Sequence, residues 1–153
     1  METMVHRRVE EARGGTNPTV IARMDSGWAV LGDKQVVRGY SLLLPDPVVS
    51  GLNELDAEGR TRFLLDMALL GDALLEVTGA EHVNYEILGN WEPALHAHVA
   101  PRYSGEPPER RRAPIWFYDW DEAPRFNPDR DRRLIEEVAR AIVSRRALGG
   151  GYP

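Results

Sequence analysis

Residues 56–79 constrain the fold more than any other part of the chain. Phe63, Met67, Leu70, Leu74 and Val77 recur at spacings of four, three, four and three, which puts them on one stripe of an α-helix. Asp56 can accept from the free N–H groups of the first turn. Gly79 offers the left-handed residue that ends such a helix. A helix with one apolar face must bury it against other elements.

The flanking segments read as extended. Trp28-Ala29-Val30-Leu31 and residues 36–44 surround Gly32-Asp33-Lys34-Gln35, a pattern that predicts a β-hairpin. Pro45-Asp46-Pro47 ends its second strand, since proline cannot donate to a ladder. Residues 83–88 and 95–100 predict two more strands, and residues 115–118 a short fifth. Asn127-Pro128 opens a second helix, with Leu134, Val138 and Ile142 at steps of four and Gly149-Gly150-Gly151 as its stop. Residues 1–18 read as a polar lead-in with at most a turn or two of helix about Val9. The expected organisation is therefore a lead-in (1–18), a sheet-and-helix domain (19–126), and a C-terminal helix with a glycine-rich tail (127–153) on the same body. That is an α+β domain, with an antiparallel sheet of about five strands, a long central helix and a C-terminal helix. A doubly wound nucleotide fold would need more alternating strand–helix units.

Composition narrows the class. With 153 residues, 42% hydrophobic and 28% charged, one soluble globular domain is expected. No stretch approaches the roughly 18 apolar residues that cross a bilayer, so no membrane partner is expected. Residues 1–13 are charged and lack the apolar core of a secretory signal. There is no cysteine, hence no disulfide framework and no thiolate metal site. A cytoplasmic location is the resulting expectation. The net charge of −5 argues against nucleic acid as a partner. It leaves room for a small phosphorylated ligand held by local donors. Arg110-Arg111-Arg112 reads as solvated loop charge offset by Glu106 and Glu109. Trp116, Phe117, Tyr118 and Trp120 read as packing rather than as a base-stacking platform.

Chemistry concentrates in Pro93-Ala94-Leu95-His96-Ala97-His98-Val99-Ala100-Pro101-Arg102-Tyr103. On a strand, residues two apart share a face. His96 and His98 would stand together, flanked by the small Ala94 and Ala100, with Leu95, Ala97 and Val99 toward the core. Neutral imidazole can attack phosphorus. A pair of imidazoles can instead ligate a metal if a third ligand is near, but the next acid, Glu106, is eight positions on. Both rings could also be structural, bonded to backbone.

Asn84-Tyr85-Glu86-Ile87-Leu88-Gly89-Asn90 leads into this strand. Together with the His96/His98 segment and Pro101-Arg102-Tyr103, it resembles the histidine triad family. The hairpin ending Leu42-Leu43-Leu44-Pro45 and the helix after it are in the order of that family. The resemblance spans residues 28–103. It implies a histidine triad-like fold for the 19–126 domain, and nucleotidyl transfer from an α-phosphate to His96 as the catalytic nucleophile, followed by hydrolysis. It implies substrate contacts from His98, Asn84, Gly89, Asn90 and Asp33, the last facing the ribose. The implied partner is a small nucleotide, no cofactor or metal is required, and a homodimer is expected. One position departs from the pattern: the first histidine of the triad falls on Ala94. Trp91 likewise stands where some members carry a phosphate-binding serine or threonine. Two other readings therefore stay open, a nucleotide-binding protein with little turnover and a metal-dependent small-molecule enzyme using the His96/His98 pair.

Overall fold

A computed structural model describes residues 1–149. The chain runs through α1 (Met4–Arg13), β1 (Val20–Arg23), β2 (Gly27–Leu31), β3 (Ser41–Pro45), α2 (Ala57–Thr78), β4 (His82–Glu86), β5 (Ala97–Arg102), α3 (Pro108–Arg111) and α4 (Pro128–Gly149). The five strands form one antiparallel sheet in the order β1-β2-β3-β5-β4.

The long helix forms as its stripe requires. Asp56 accepts from the Gly59 N–H at 2.7 Å, and Gly79 closes the helix with φ +68°, a conformation that a side chain would strain. Phe63, Leu70 and Leu74 are fully buried, in one core with Leu43, Ala97 and Val99 of the sheet and Leu134, Val138 and Ile142 of α4. α2 and α4 thus cover one face of the sheet. Gly27 lets β2 and β3 meet, because a Cβ there would lie 1.8 Å from the Leu44 carbonyl oxygen. No helix among the described residues is long and apolar enough to cross a membrane.

Four expectations change. The opening residues are not merely a polar lead-in: α1 is ten residues long, capped by Thr3 and His6, with Val5, Val9 and Ala12 buried. Three apolar positions in a charged segment carry too little periodic signal to stand out. β1, which pairs with β2, had no separate signal. The hairpin is wider than the sequence suggests: β3 starts at Ser41, and residues 32–40 form a connection in which Gln35 bonds the Gly32 and Tyr40 carbonyls. Residues 115–118 do not form a strand. Residues Ile115–Phe117 make a 3-10 turn after prolines that remove ladder donors. Gly150 and Gly151, expected as part of the helix stop, lie outside the described residues.

Candidate active site

The histidines sit on the sheet face that α2 and α4 leave uncovered. Across the strands, Val30 pairs with Leu42, Leu42 with His98, and His98 with Glu86. His98 thus stands mid-row between apolar side chains of β2 and β3 and the carboxylate of β4. His96 lies just before β5, its ring centroid 4.8 Å from that of His98 at 81°. Leu95, Ala97 and Val99 point into the main core, as the alternation requires.

Both rings are nearly buried, at 7% and 8% exposure, and each has a fixed partner. His96 Nδ1 lies 2.7 Å from the Ala94 carbonyl oxygen. A carbonyl only accepts, so in the neutral ring Nδ1 carries the proton and Nε2 keeps its lone pair. His98 Nδ1 lies 2.7 Å from the Tyr40 hydroxyl. Burial, and secondarily the neighbouring His96, hold the His98 pKa down to about 4, so this ring is uncharged at neutral pH.

A cleft of about 820 Å³ opens beside the pair, with His96, His98, Asp33, Gly89 and Asn90 in its wall. Asn84 is not in that wall. Its Oδ1 accepts from Arg102 Nη1 at 2.6 Å. Arg102 is 1% exposed and also bonds Glu106 and the carbonyls of Arg110 and Ala113. Glu106 therefore neutralises this buried guanidinium rather than the arginine run, and it also accepts from the Tyr118 hydroxyl at 2.6 Å. Of that run, Arg111 and Arg112 line a separate cavity with Glu81 and His82. No group of three metal-ligating side chains forms among the described residues.

Three parts of the cleft were not assigned to the site from the sequence. α1 forms one wall through Met4, Val5 and Arg8, and Arg8 pairs with Asp33. Tyr40 supplies the hydroxyl on His98. The aromatic cluster, read as packing, also reaches the site. Trp116 meets His98 edge to face at 4.8 Å, stacks on Trp120 at 5.1 Å, and donates from Nε1 to Glu86 at 2.6 Å. None of these three has a local spacing signal, because each depends on contacts distant in sequence. Trp91 is fully exposed at the rim.

The position to which the resemblance assigns a first triad imidazole, Ala94, is packed among apolar side chains. Ala94, 2% exposed, lies in an apolar cluster with Val5 and Val9 of α1, Val30 and Leu44.

No family sequence model matches the chain, and no curated protein matches it. Solved structures do. A histidine triad protein of Marinobacter aquaeolei superposes with a TM-score of 0.72 at 21% identity, over 94% of this chain and 98% of that one. A histidine triad protein of Sinorhizobium meliloti does so at 0.67 and 23%, over 82% and 87%. A hypothetical histidine triad nucleotide-binding protein of Sulfolobus tokodaii gives 0.72 at 14% identity, over 92% and 93%. The five-stranded sheet and its two long helices thus belong to the histidine triad fold.

Proposed function

We propose that this protein binds a small nucleotide and transfers its nucleoside monophosphate group to His96, from which water releases it. The observation that carries the reading is the fixed tautomer of His96: the Ala94 carbonyl holds Nδ1–H, leaving the Nε2 lone pair as the nucleophile in a ligand-sized cleft. The Sulfolobus tokodaii neighbour is described as nucleotide-binding, which supports the ligand class.

In the first step Nε2 forms a bond to the α-phosphorus while the bond to the leaving group breaks. The leaving atom keeps the electron pair and takes up one proton. In the second step a water oxygen bonds to phosphorus and gives up one proton to solvent, balancing the one the leaving atom took from it, while the N–P bond breaks and Nε2 regains its lone pair. His98, with Nδ1 held by Tyr40, offers Nε2–H to the phosphate oxygens as charge develops. Gly89 and Asn90, in the cleft wall, would add a backbone N–H and an amide as donors, and Asp33 would accept from a ribose hydroxyl.

Trapping tests the reading. Incubation with an adenylylated amine, followed by a rapid quench, should give a mass adduct of one adenylyl group. The adduct should be lost in His96→Ala and retained in His82→Ala, whose side chain is exposed on β4. Nucleotide binding by calorimetry with neither adduct nor product would instead indicate a receptor. An adduct that persists in His96→Ala would overturn the proposal.

A further inference from the structure

The arginine run is a sequence motif that the reaction at His96 leaves unused, and its three members part company in the structure. Arg110 lies over the Tyr118 ring, its guanidinium carbon 5.9 Å from the centroid. Arg111 and Arg112 line a cavity of about 510 Å³ together with Glu81, His82 and Pro108. Arg111 Nη1 donates to the Ser104 carbonyl at 3.4 Å, and its Nε faces Glu81 at 3.9 Å, too far for a hydrogen bond. Arg112 has no hydrogen bond or ion pair among the described residues. Glu109 is no part of the cavity wall, and Glu106 is taken up by Arg102.

The backbone that presents these two guanidiniums is fixed from beneath. Arg102 donates to the carbonyls of Arg110 and Ala113 at 2.7 Å each, so Arg111 and Arg112 lie between two anchored residues. Their segment is therefore ordered before any ligand arrives, which removes a cost of binding. Across the strands His82 pairs with Arg102, and Glu86 with His98. The cavity and the catalytic cleft thus stand at opposite ends of one row of the sheet, with the Arg102 and Asn84 bonds between them. No residue lines both.

We infer that this cavity is a second anion site, which takes the phosphate of a small monoester between Arg111 and Arg112, with His82 as a further donor. It is independent of the chemistry at His96. A guanidinium fork matches two oxygens of a phosphate, and two forks side by side suit a dianion better than a single carboxylate. The volume lies within the roughly 300–1,000 Å³ typical of ligand sites, which leaves room for the organic part of an ester. Glu81 offsets one of the charges without cancelling both, and it is the acceptor that a hydroxyl of that organic part would meet. The chain's net charge of −5 disfavours a nucleic acid or an anionic membrane as the carrier of the phosphate, so the occupant is a soluble ester.

Titration with glycerol 3-phosphate at constant ionic strength, followed by NMR of the His82 ring and the arginine Nε–H groups, tests the assignment. The signals of His82, Arg111 and Arg112 should shift together and saturate with a Kd of about 1 mM or tighter, the scale of two charge-assisted contacts. Arg112→Ala, at an exposed side chain without partners, should weaken binding about tenfold. Arg110→Ala removes the same charge outside the cavity and should change the affinity by less than about twofold. Acetate should bind about tenfold more weakly than the ester, and the affinity should survive in His96→Ala. Shifts that do not saturate, equal losses in the Arg110 and Arg112 variants, or acetate binding as tight as the ester would each overturn the inference. So would shifts confined to His96 and His98, or binding lost in His96→Ala, since either puts the ester in the cleft alone.

Discussion

The Tyr40 hydroxyl lies 2.7 Å from Nδ1 of His98, and both side chains are buried. Burial, aided by the nearby Glu86 carboxylate, pushes the Tyr40 ionisation upward, so the phenol keeps its proton. The ring of His98 is held neutral, so one of its nitrogens accepts. A phenol donating to Nδ1 leaves the imidazole proton on Nε2, the tautomer that can donate into the cleft. Tyr40→Phe removes that donor and strands a buried acceptor, at a cost of about 1–3 kcal/mol of stability. Imidazole nitrogen NMR should show the Nε2–H population of His98 falling in the variant. An unchanged tautomer would mean that the hydroxyl does not position the ring.

His98 also makes stability depend on pH. Its pKa falls from 6.5 to about 4 on folding, chiefly through burial. Between those values the unfolded chain binds a proton that the folded chain does not, so stability is lost as pH drops through that window and levels off below it. The difference corresponds to about 3 kcal/mol at about 1.4 kcal/mol per pKa unit. Urea unfolding of wild type and His98→Gln at pH 7, 5.5 and 4 isolates this contribution. The wild type should lose stability relative to the variant at each step down, whereas parallel behaviour would show that burial does not suppress the charge.

Arg102 is the structural counterpart of the histidines on the same strand. Its guanidinium is satisfied by Asn84, Glu106 and two carbonyls of the 104–113 segment, and that segment leads into Trp116. Burial disfavours the Glu106 carboxylate, yet the hydrogen bonds from Arg102 and Tyr118 outweigh it and hold its pKa below the usual range. Arg102→Met would leave that carboxylate unpaired, a loss of about 3–5 kcal/mol. Arg102→Lys should recover only part of the loss, because one ammonium cannot reproduce the planar fork. Thermal or urea unfolding of both variants measures the difference, and full recovery by lysine would contradict the geometric role.

What the sequence disclosed follows from the range of each signal. The α2 stripe, its caps and the His96/His98 alternation are periodic within a few residues, and all three appear as expected. The sheet order and the uncovered face depend on which strands meet, and no local spacing encodes that. Asn84 illustrates the limit: the family resemblance implied a substrate contact, but eighteen positions later Arg102 bonds its side-chain oxygen. Tyr40, Arg8 and Trp116 join the site only because the fold brings the hairpin, α1 and the 3-10 turn to the same cleft. α1 itself has Val5, Val9 and Ala12 as its buried positions, a face visible only once its cover is known.

That helix bears on the missing first imidazole. Ala94 is buried in one apolar cluster with Val5 and Val9 of α1, so a histidine at this position would have to displace that packing. Ala94→His should therefore destabilise the protein by about 1–3 kcal/mol, as overpacking does, rather than complete the triad at no cost. If α1 is the obstacle, Val5→Ala should relieve the strain. Each single substitution would be destabilising, but the double variant should be more stable than the sum predicts, by about 0.5–3 kcal/mol, the range for residues in contact. Urea unfolding of the four proteins closes this cycle. Strict additivity would show that α1 does not compete for the space, and that the alanine at position 94 has no cause in the packing of this helix.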